Sequence, residues 1–199
     1  MYVRDAKNRE EVWLLDSIEA MGLDDTAFRS RDYVVVVDET SGEKAGFGRI
    51  RIHKPDDAPE ICELTSIGVV ERWRGQGVGA HVVERLIDKA SDDDFEEVYA
   101  LVGVPDYLAQ FGFEPIETDE LPPKLHDRLE AKREEIEPDA IPMVLSVSSF
   151  RMPDRLRERF KDAGPQDVEP SDEDDAEEMA EEFGIDPDEA TYKYDTGRH

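Results

Sequence analysis

The feature that most constrains the fold is the glycine-rich segment RWRGQGVG, residues 72–79, which joins two apolar stretches of different periodicity. Before it, the run ICELTSIGVV (61–70) is rich in β-branched residues and is typical of a buried strand. After it, Val78, Val82 and Leu86 recur with the spacing of one helix face. A strand, a glycine turn and an amphipathic helix in this order leave backbone N–H groups free at the helix N-terminus, which predicts an anion site.

The spacing of the glycines excludes two familiar nucleotide motifs. A P-loop ends in Gly-Lys-Ser/Thr, and no such sequence follows here. The GxGxxG segment of a dinucleotide fold needs a third glycine where this chain has Val82. Because Arg74 adds a cation beside Gly75, Gly77 and Gly79, the segment is predicted to bind a diphosphate; the alternative is a tight turn without a ligand.

The flanking patterns describe an α/β (α+β) domain, in which a mixed sheet is covered by helices. In the first helix, Asn8 and Glu11 form a capping-box pattern, and Val12, Leu15 and Ile18 are predicted to be its buried stripe. Strands are predicted at 2–6, 33–37, 45–53, 61–70, 97–102, 113–116 and 141–147, and helices at 8–21, 78–90, 106–110 and 123–135.

The chain is predicted to divide into a domain of residues 1–150 and an acidic C-terminal extension of residues 151–199. The extension contains one helical pattern, residues 155–163, with Leu156 and Phe160 on one side. Residues 166–190 include no basic residue and are predicted to be mostly disordered. The extension is therefore predicted to be partly helical and partly disordered.

The charge of the chain excludes some classes of partner. The formal net charge is −27, and residues 151–199 contribute 17 acids and 7 bases, which leaves 34 acids and 17 bases for residues 1–150. This balance disfavours nucleic acid and anionic membrane surfaces as partners. Acidity spread over the whole chain, with Arg preferred to Lys, resembles the composition of proteins from salt-in halophiles, and an ordinary acidic cytosolic protein is the alternative.

Cysteine and hydropathy give the expected compartment. The single cysteine, Cys62, cannot form an internal disulfide, and no His or Cys cluster has the spacing of a metal site, so no metal is expected. No run of about 18 apolar residues predicts a membrane span, and the N-terminal sequence lacks the apolar run of a secretion signal. The sequence therefore predicts a cytoplasmic protein.

The segment VVERWRGQGVGAHVVERL resembles the coenzyme A-binding motif of the GNAT N-acetyltransferase superfamily, Gln/Arg-x-x-Gly-x-Gly/Ala. Arg74, Gly77 and Gly79 fill that pattern, and the similarity extends over residues 2–147, including YLAQFGFEPI. The resemblance implies the GNAT fold, a mixed, mostly antiparallel twisted sheet of about seven strands. It also implies transfer of an acetyl group from acetyl-CoA to a primary amine.

The resemblance also implies which residues bind the coenzyme. A backbone N–H at or near Ile67 would stabilise the oxyanion formed when the amine attacks the thioester, and Val69 and Val70 would guide the pantetheine arm. This chemistry needs no nucleophilic side chain, so Cys62 need not form an acyl-enzyme. The implied coenzyme-binding residues are Ile67, Val69, Val70, Arg74, Gly75, Gln76, Gly77, Val78, Gly79 and Ala80.

Two side chains are candidates for moving protons. Glu63 matches a position at which some GNAT enzymes have a glutamate that deprotonates the amine directly or through water; the alternative is a carboxylate at a solvated strand end. Strand alternation predicts Glu63, Thr65 and Ile67 on one sheet face. A Tyr that protonates the leaving thiolate would occupy the slot of Leu108, one place after Tyr107. A helical step of about 100° leaves open whether Tyr107 faces the site or the core.

The acceptor amine is open at this stage. LPPKL, residues 121–125, resembles an LPxK stretch of the acetyltransferase domains of N-acetylglutamate synthases, which makes a free amino acid such as glutamate a candidate. The alternative function is a catalytically weak or inactive CoA-binding, regulatory GNAT-like module that acts through protein partners, and an interaction of the acidic tail with a basic protein is a third reading. GNAT-like domains often dimerise, so a homodimer is compatible with the resemblance.

Overall fold

The computed structural model describes residues 1–167, which form one seven-stranded sheet with helices on both faces. In chain order the elements are β1 (Tyr2–Asp5), α1 (Glu11–Ala20), β2 (Tyr33–Val37), β3 (Lys44–His53), β4 (Ile61–Val69), α2 (Val78–Asp92), β5 (Glu97–Val102), α3 (Pro105–Ala109), β6 (Glu114–Pro115), α4 (Pro123–Glu135), β7 (Ile141–Ser146) and α5 (Asp154–Lys161). Residues 168–199, with most of the acidic tail and of its predicted disorder, lie outside the described residues.

The strand order is β1-β2-β3-β4-β5-β7-β6, and every neighbouring pair is antiparallel except β4 and β5. The parallel pair is the place where the chain crosses over through α2 between two adjacent strands. The predicted class, an α/β fold with a mixed and mostly antiparallel sheet, is therefore confirmed.

The core has a separate layer on each face of the sheet. The face under α2 buries alternate residues of the central strands, among them Cys62 and Leu64 of β4, against Val82 and Leu86 of α2. The opposite face carries one cluster under α1 and another under α4. The predicted amphipathic stripe of α2 is thus the centre of the larger core layer.

Strand β4 contains a bulge that changes which way its residues face. Arg49 of β3 pairs with Thr65, whereas Phe47 pairs with Gly68, so that one residue of β3 lies opposite two residues of β4. Ser66 has a φ of 52°, which a non-glycine residue rarely adopts. The predicted shared face of Glu63, Thr65 and Ile67 is therefore wrong for Ile67, which packs with the core on the α2 side.

Pairing between β4 and β5 ends early. The last paired residues are Leu64 and Ala100, although β4 continues to Val69 and β5 continues to Val102. Beyond Leu64 the two strands diverge, and the backbone of residues 65–69 has no strand partner on the β5 side within the described chain. The sheet is therefore open at the C-terminal end of its two central strands.

Helix α1 differs from its predicted form in phase and in capping. The backbone N–H of Lys7 donates to Glu10 Oε2 at 2.8 Å, and a 3-10 turn over Asn8–Glu10 precedes the α-helix, so Asn8 is not the cap. Leu14 and Ile18 are buried, while Val12 is 69% exposed. The spacing of the predicted stripe does not show which side of so short a helix is buried, and Leu14 and Ile18 lie in the same buried cluster as Phe47 of β3.

Helix α5 belongs to the same compact unit as the sheet, since that unit runs from Met1 to Pro165. The helix packs on α2, and its Leu156 and Phe160 lie against the larger core, as the predicted pairing of these two residues requires. The ring of Phe160 stacks on His81, with 3.7 Å between ring centroids. The compact unit thus continues past the domain boundary predicted at residue 150. Among residues 1–167, no helix is both long enough and apolar enough to cross a bilayer.

Candidate active site

The glycine segment forms a tight turn that ends at the first residue of α2. Gly75 and Gly77 have φ values of 70° and 78°, a left-handed conformation that residues with a Cβ avoid. The first N–H groups of a helix have no acceptor inside it. Within residues 1–167, the backbone N–H groups of Val78, Gly79 and Ala80 donate no hydrogen bond. They are therefore available to an anion at the positive end of a 15-residue helix.

A cavity of about 610 Å³ lies in front of this turn. Its walls include the glycine turn, the C-terminal end of β4 and the residues that follow α1, together with Tyr107 and two residues of α5, Leu156 and Arg159. Eight of the ten predicted coenzyme-binding residues line it: Ile67, Val69, Arg74, Gly75, Gly77, Val78, Gly79 and Ala80.

The other two predicted residues, Val70 and Gln76, are held elsewhere. The N–H of Val70 donates to the carbonyl of Ala45 at 2.9 Å, which keeps this residue in the sheet. The side chain of Gln76 donates to the carbonyl of Arg72 and accepts from the N–H of Gly164. Gln76 therefore ties the turn to the segment after α5, and it does not line the cavity.

A second cavity, of about 320 Å³, opens where β4 and β5 diverge. It shares Leu23, Ile67 and Tyr107 with the larger cavity, so the two meet at the bulge of β4. Its other walls are mostly apolar, and its polar lining residues are Thr65, Ser66, Lys132 and Glu137. A ligand that extends along β4 in the larger cavity would therefore end beside a small molecule in the second one.

Tyr107 stands at the junction of the two cavities. It is 38% exposed, whereas Leu108, the residue in the slot that the resemblance indicates, is 2% exposed and packs in the core. A Cβ added to Gly79 would lie 2.5 Å from the Tyr107 hydroxyl, so the phenol reaches the N-terminus of α2. Desolvation raises the pKa of Tyr107 to about 12, and the phenol therefore keeps its proton at neutral pH.

Glu63 is buried in a polar cluster rather than solvated at a strand end. Its Oε2 accepts hydrogen bonds from His53 Nε2 at 2.7 Å and from Arg128 Nε at 3.4 Å, and Arg128 also pairs with Asp24. Glu63 is fully buried and lines neither cavity. Its Oε1 has no hydrogen-bond partner in the described structure, nor has the buried hydroxyl of Thr65, a residue that lines the second cavity.

Several lining residues were missed by sequence reasoning because nothing local distinguishes them. Leu23 follows the end of α1, and the loop that carries it is held over β4 by a hydrogen bond from Ser66 Oγ to the Asp24 carbonyl. Lys132 is one of several cations on α4, yet its Nζ points inward to the carbonyl of Leu101 at 2.5 Å. Its four-residue spacing from Arg128, which is also buried, was the available signal.

A third cavity, of about 530 Å³, lies at the N-terminal ends of β4 and β5. Part of the LPPKL segment, residues 122–124, lines it, while Leu121 and Leu125 are buried against the sheet. This segment therefore starts α4 and does not line the cavity at the divergence of β4 and β5. Within residues 1–167, no group of three or more His, Cys, Asp or Glu residues is arranged to hold a metal ion.

Comparison with known proteins gives the family. The model of the acetyltransferase (GNAT) family matches residues 2–113, which is more than half of the chain. The chain therefore belongs to the GNAT family of acetyltransferases, as the resemblance of the glycine segment implied.

Solved structures share the fold at low sequence identity. N-acetylglutamate synthase from Neisseria gonorrhoeae, complexed with coenzyme A and N-acetyl-glutamate, has a TM-score of 0.60 at 16% identity, over 73% of this chain and 35% of that chain. Rv2747 from Mycobacterium tuberculosis, in complex with CoA and NLQ, has a TM-score of 0.60 at 18% identity, over 73% and 99%. Naa50 from Arabidopsis thaliana, in complex with the bisubstrate analogue CoA-Ac-MVNAL, has a TM-score of 0.52 at 14% identity, over 73% of this chain and 97% of that chain. The chain spans about a third of the length of the N. gonorrhoeae synthase chain.

The buried position of Cys62 leads to a prediction about thiol reactivity. Burial, with smaller contributions from the charges of Asp93 and Glu63, raises the pKa of Cys62 to about 12. Because the thiolate is the reactive form, native protein at pH 8 is expected to resist iodoacetamide, and protein unfolded in urea is expected to react fully. Mass spectrometry after alkylation measures both. Rapid labelling of the native protein would show that Cys62 is accessible and ionised.

Proposed function

We propose that this protein is an N-acetyltransferase that transfers the acetyl group of acetyl-CoA to the primary amine of a small acceptor by direct attack. The observation that carries the proposal is the meeting of two cavities at the bulge of β4. One contains a free helix N-terminus suited to a diphosphate, and the other has room for a small molecule. Membership in the GNAT family and the coenzyme A complexes of proteins with the same fold support it.

The coenzyme would lie along the larger cavity, with its pyrophosphate on the N–H groups of residues 77–80 and Arg74 beside them. The pantetheine arm would follow the end of β4 past Val69 towards Ile67. In this position the thioester carbonyl reaches the part of β4 that has no strand partner on the β5 side. A free backbone N–H at or near Ile67 would then donate to the oxyanion of the tetrahedral intermediate.

The acceptor would occupy the second cavity and attack from the side of β5. A volume of about 320 Å³ is at the lower end of the range for small-molecule sites and suits an amine of amino-acid size. Lys132 Nζ lies 3.0 Å from Glu137 Oε2 at the wall, so an acceptor carboxylate would bind this cation in competition with Glu137. These features favour a free amino acid, for which glutamate is the first candidate, and the N-acetyl-glutamate in the N. gonorrhoeae synthase complex agrees with this choice.

The proton of the acceptor ammonium would pass to Glu63. The unpartnered Oε1 of Glu63 and the unpartnered hydroxyl of Thr65 are two residues apart on the same face of β4, before the bulge. Since Thr65 lines the second cavity and Glu63 does not, we assign Glu63 as a general base that acts through Thr65 and cavity water. The free amine then attacks the carbonyl carbon, and the C–S bond breaks as the tetrahedral intermediate collapses. The second proton of the attacking nitrogen passes through cavity water and restores the Tyr107 hydroxyl after that group has protonated the thiolate.

The departing thiolate would take its proton from Tyr107. The hydroxyl of this residue lies beside Gly79, where the pantetheine sulfur would pass between the cavities. A phenol with a pKa of about 12 is a proton donor throughout the neutral range. Acetyl transfer, deprotonation of the amine and protonation of the thiolate are then each assigned to a separate group around the junction.

Turnover on an amine panel tests the proposed function. Release of free thiol from acetyl-CoA would be followed with glutamate, lysine and a polyamine in roughly 2 M KCl, which shortens the screening length to below about 3 Å and removes most charge repulsion. We expect thiol release in the presence of at least one amine, fastest with glutamate. Gly77→Glu introduces an anion and a strained φ into the glycine turn and should abolish CoA binding in calorimetry.

The outcomes of that panel separate the alternatives. No CoA binding by folded wild-type protein, as judged by circular dichroism, would refute the coenzyme site. CoA binding without thiol release on any amine would instead favour the regulatory CoA-binding module. If the reaction were fastest with a polyamine, the proposed preference for an acceptor with a carboxylate would be wrong, while the proposed acetyltransferase activity would stand.

Substitution of the proposed base is expected to change the pH profile. Glu63→Gln removes the proton acceptor while keeping the size and the contact with Arg128, so kcat should fall by about 100-fold near pH 6.5 and by less near pH 9, where more of the amine is already neutral. His53→Gln is the matched control, because it alters the other end of the same hydrogen bond and leaves the carboxylate. A pH profile of Glu63→Gln parallel to that of the wild type would show that Glu63 is only structural.

Substitution of the proposed acid gives a second kinetic prediction. Tyr107→Phe keeps the ring and its edge contact with Phe111 but lacks the hydroxyl. We expect kcat to fall on the order of 100-fold with an unchanged Kd for CoA. Because the folded pKa of about 12 lies above the usual value, the protonated form persists as pH rises, and the wild-type rate should show no loss from this group up to about pH 11. An unchanged kcat in Tyr107→Phe would mean that water protonates the thiolate.

A further inference from the structure

Helix α5 is a cationic segment in a strongly acidic chain. Residues 151–161 contain five bases, namely Arg151, Arg155, Arg157, Arg159 and Lys161, and two acids, Asp154 and Glu158, so that their formal charge is +3, while the whole chain carries −27. Nothing in the composition of the chain favours a cluster of cations, and the helix that contains most of them lies on the glycine turn.

Contacts fix α5 against this turn at several points. The carbonyl of Leu156 lies against Gly77 and fills the space that a side chain at that position would need. Arg159 Nη1 donates to the carbonyl of Gly75 at 3.2 Å, and the N–H of Gly164 donates to Gln76 Oε1 at 2.9 Å. The stack of Phe160 on His81 adds an aromatic contact with the first turn of α2.

The cations of α5 are not equivalent. Arg157 pairs with Glu84, Lys161 pairs with Glu158, and Arg155 donates to Gln110. Arg159 alone of the four lines the larger cavity, and within residues 1–167 it forms no ion pair with a carboxylate. Its present partner is a neutral carbonyl, so its charge is available to an anion in the cavity.

We propose that α5 is part of the coenzyme site and that Arg159, together with Arg74, binds the pyrophosphate of acetyl-CoA. The inference rests on the proposed function and goes beyond it, because the family match ends at residue 113 and does not include this helix. Arg74 and Arg159 line the same cavity from the glycine turn and from α5, and the residues with free N–H groups at the start of α2 line it as well. Two guanidinium groups and a helix N-terminus form a site suited to a dianionic diphosphate.

The acidity of the protein gives this arrangement a physical purpose. A coenzyme with several negative charges approaches a surface that repels it, and at moderate salt the repulsion lowers its affinity. Cations beside the proposed phosphate site offset that repulsion at the position of the coenzyme's negative charges. A guanidinium that hydrogen-bonds to phosphate also resists screening better than a cation at a distance, because direct contact excludes ions from between the charges.

Calorimetric titration of full-length protein with CoA tests the inference. Arg159→Glu is expected to weaken CoA binding by about 10- to 100-fold in 0.5 M KCl and by less in 2 M KCl. Lys161→Glu makes the same charge change two residues away on α5, outside the cavity, and should change the Kd by less than about threefold. Arg159→Lys keeps the charge without the planar fork and should give an intermediate loss. Circular dichroism confirms that each variant is folded.

The ligand series distinguishes the phosphates and separates this inference from the proposed function. CoA and 3′-dephospho-CoA should lose equal affinity in Arg159→Glu if the contact is to the pyrophosphate. The proposal would be overturned if Arg159→Glu left the Kd for CoA unchanged, or if it weakened the binding of CoA but not of 3′-dephospho-CoA. Tighter binding of CoA by Arg159→Glu would also overturn it, because α5 would then compete with the coenzyme for the site. Failure of the wild type to bind CoA would refute the proposed function itself.

Discussion

The site depends on the point at which β4 stops pairing with β5. A parallel pair at the centre of a sheet normally continues for the length of its strands, and here it ends after Leu64. The bulge beside it turns Ser66 into a left-handed conformation and rotates Ile67 to the α2 face. Divergence of β4 from β5 without the bulge would only expose backbone to solvent. Rotation of Ile67 without the divergence would only change the packing of the core. Within the described residues, together they leave the backbone of residues 65–69 without a strand partner on the β5 side and beside two cavities, which is the position that the proposed mechanism requires for the oxyanion.

A buried polar cluster supports this opening from the α4 side. Glu63, His53, Arg128 and Asp24 join β3, β4, α4 and the loop after α1 in one set of hydrogen bonds and ion pairs. Burial of such groups costs several kcal/mol each, and their mutual pairing offsets rather than exceeds that cost. The cluster is therefore poorly explained by stability. It fixes the loop that carries Leu23, which lines both cavities, and it contains Glu63 Oε1, which has no hydrogen-bond partner within residues 1–167.

Local patterns predicted most of the fold, whereas contacts distant in sequence decided the rest. The strands β2 and β4, the stripe of α2 and the left-handed glycines follow from β-branched runs, helical spacing and turn chemistry, which need no knowledge of neighbours. The bulge at Ser66 does not, because no residue type there demands a positive φ. Helix α1 shows the same limit, since Leu14 is buried in the cluster that includes Phe47, whereas Leu15 is 36% exposed. Eight residues that line the larger cavity were predicted from the end of β4 and the glycine motif; Leu23, Lys132 and Arg159 reach the cavities from elements that the motif does not include.

The docking of α5 gives the glycine turn a second physical requirement. A tight backbone turn needs glycine where φ is positive, which accounts for Gly75 and Gly77 without reference to α5. Gly77 also receives the carbonyl of Leu156 where any side chain would collide, and Gly79 receives the hydroxyl of Tyr107. Two separate elements, α5 and α3, thus approach the same turn through the space that missing side chains leave. The glycines therefore allow Tyr107 and α5 to approach the turn, in addition to shaping the backbone, and in the proposed site they bring the proton donor and the cationic helix next to the coenzyme.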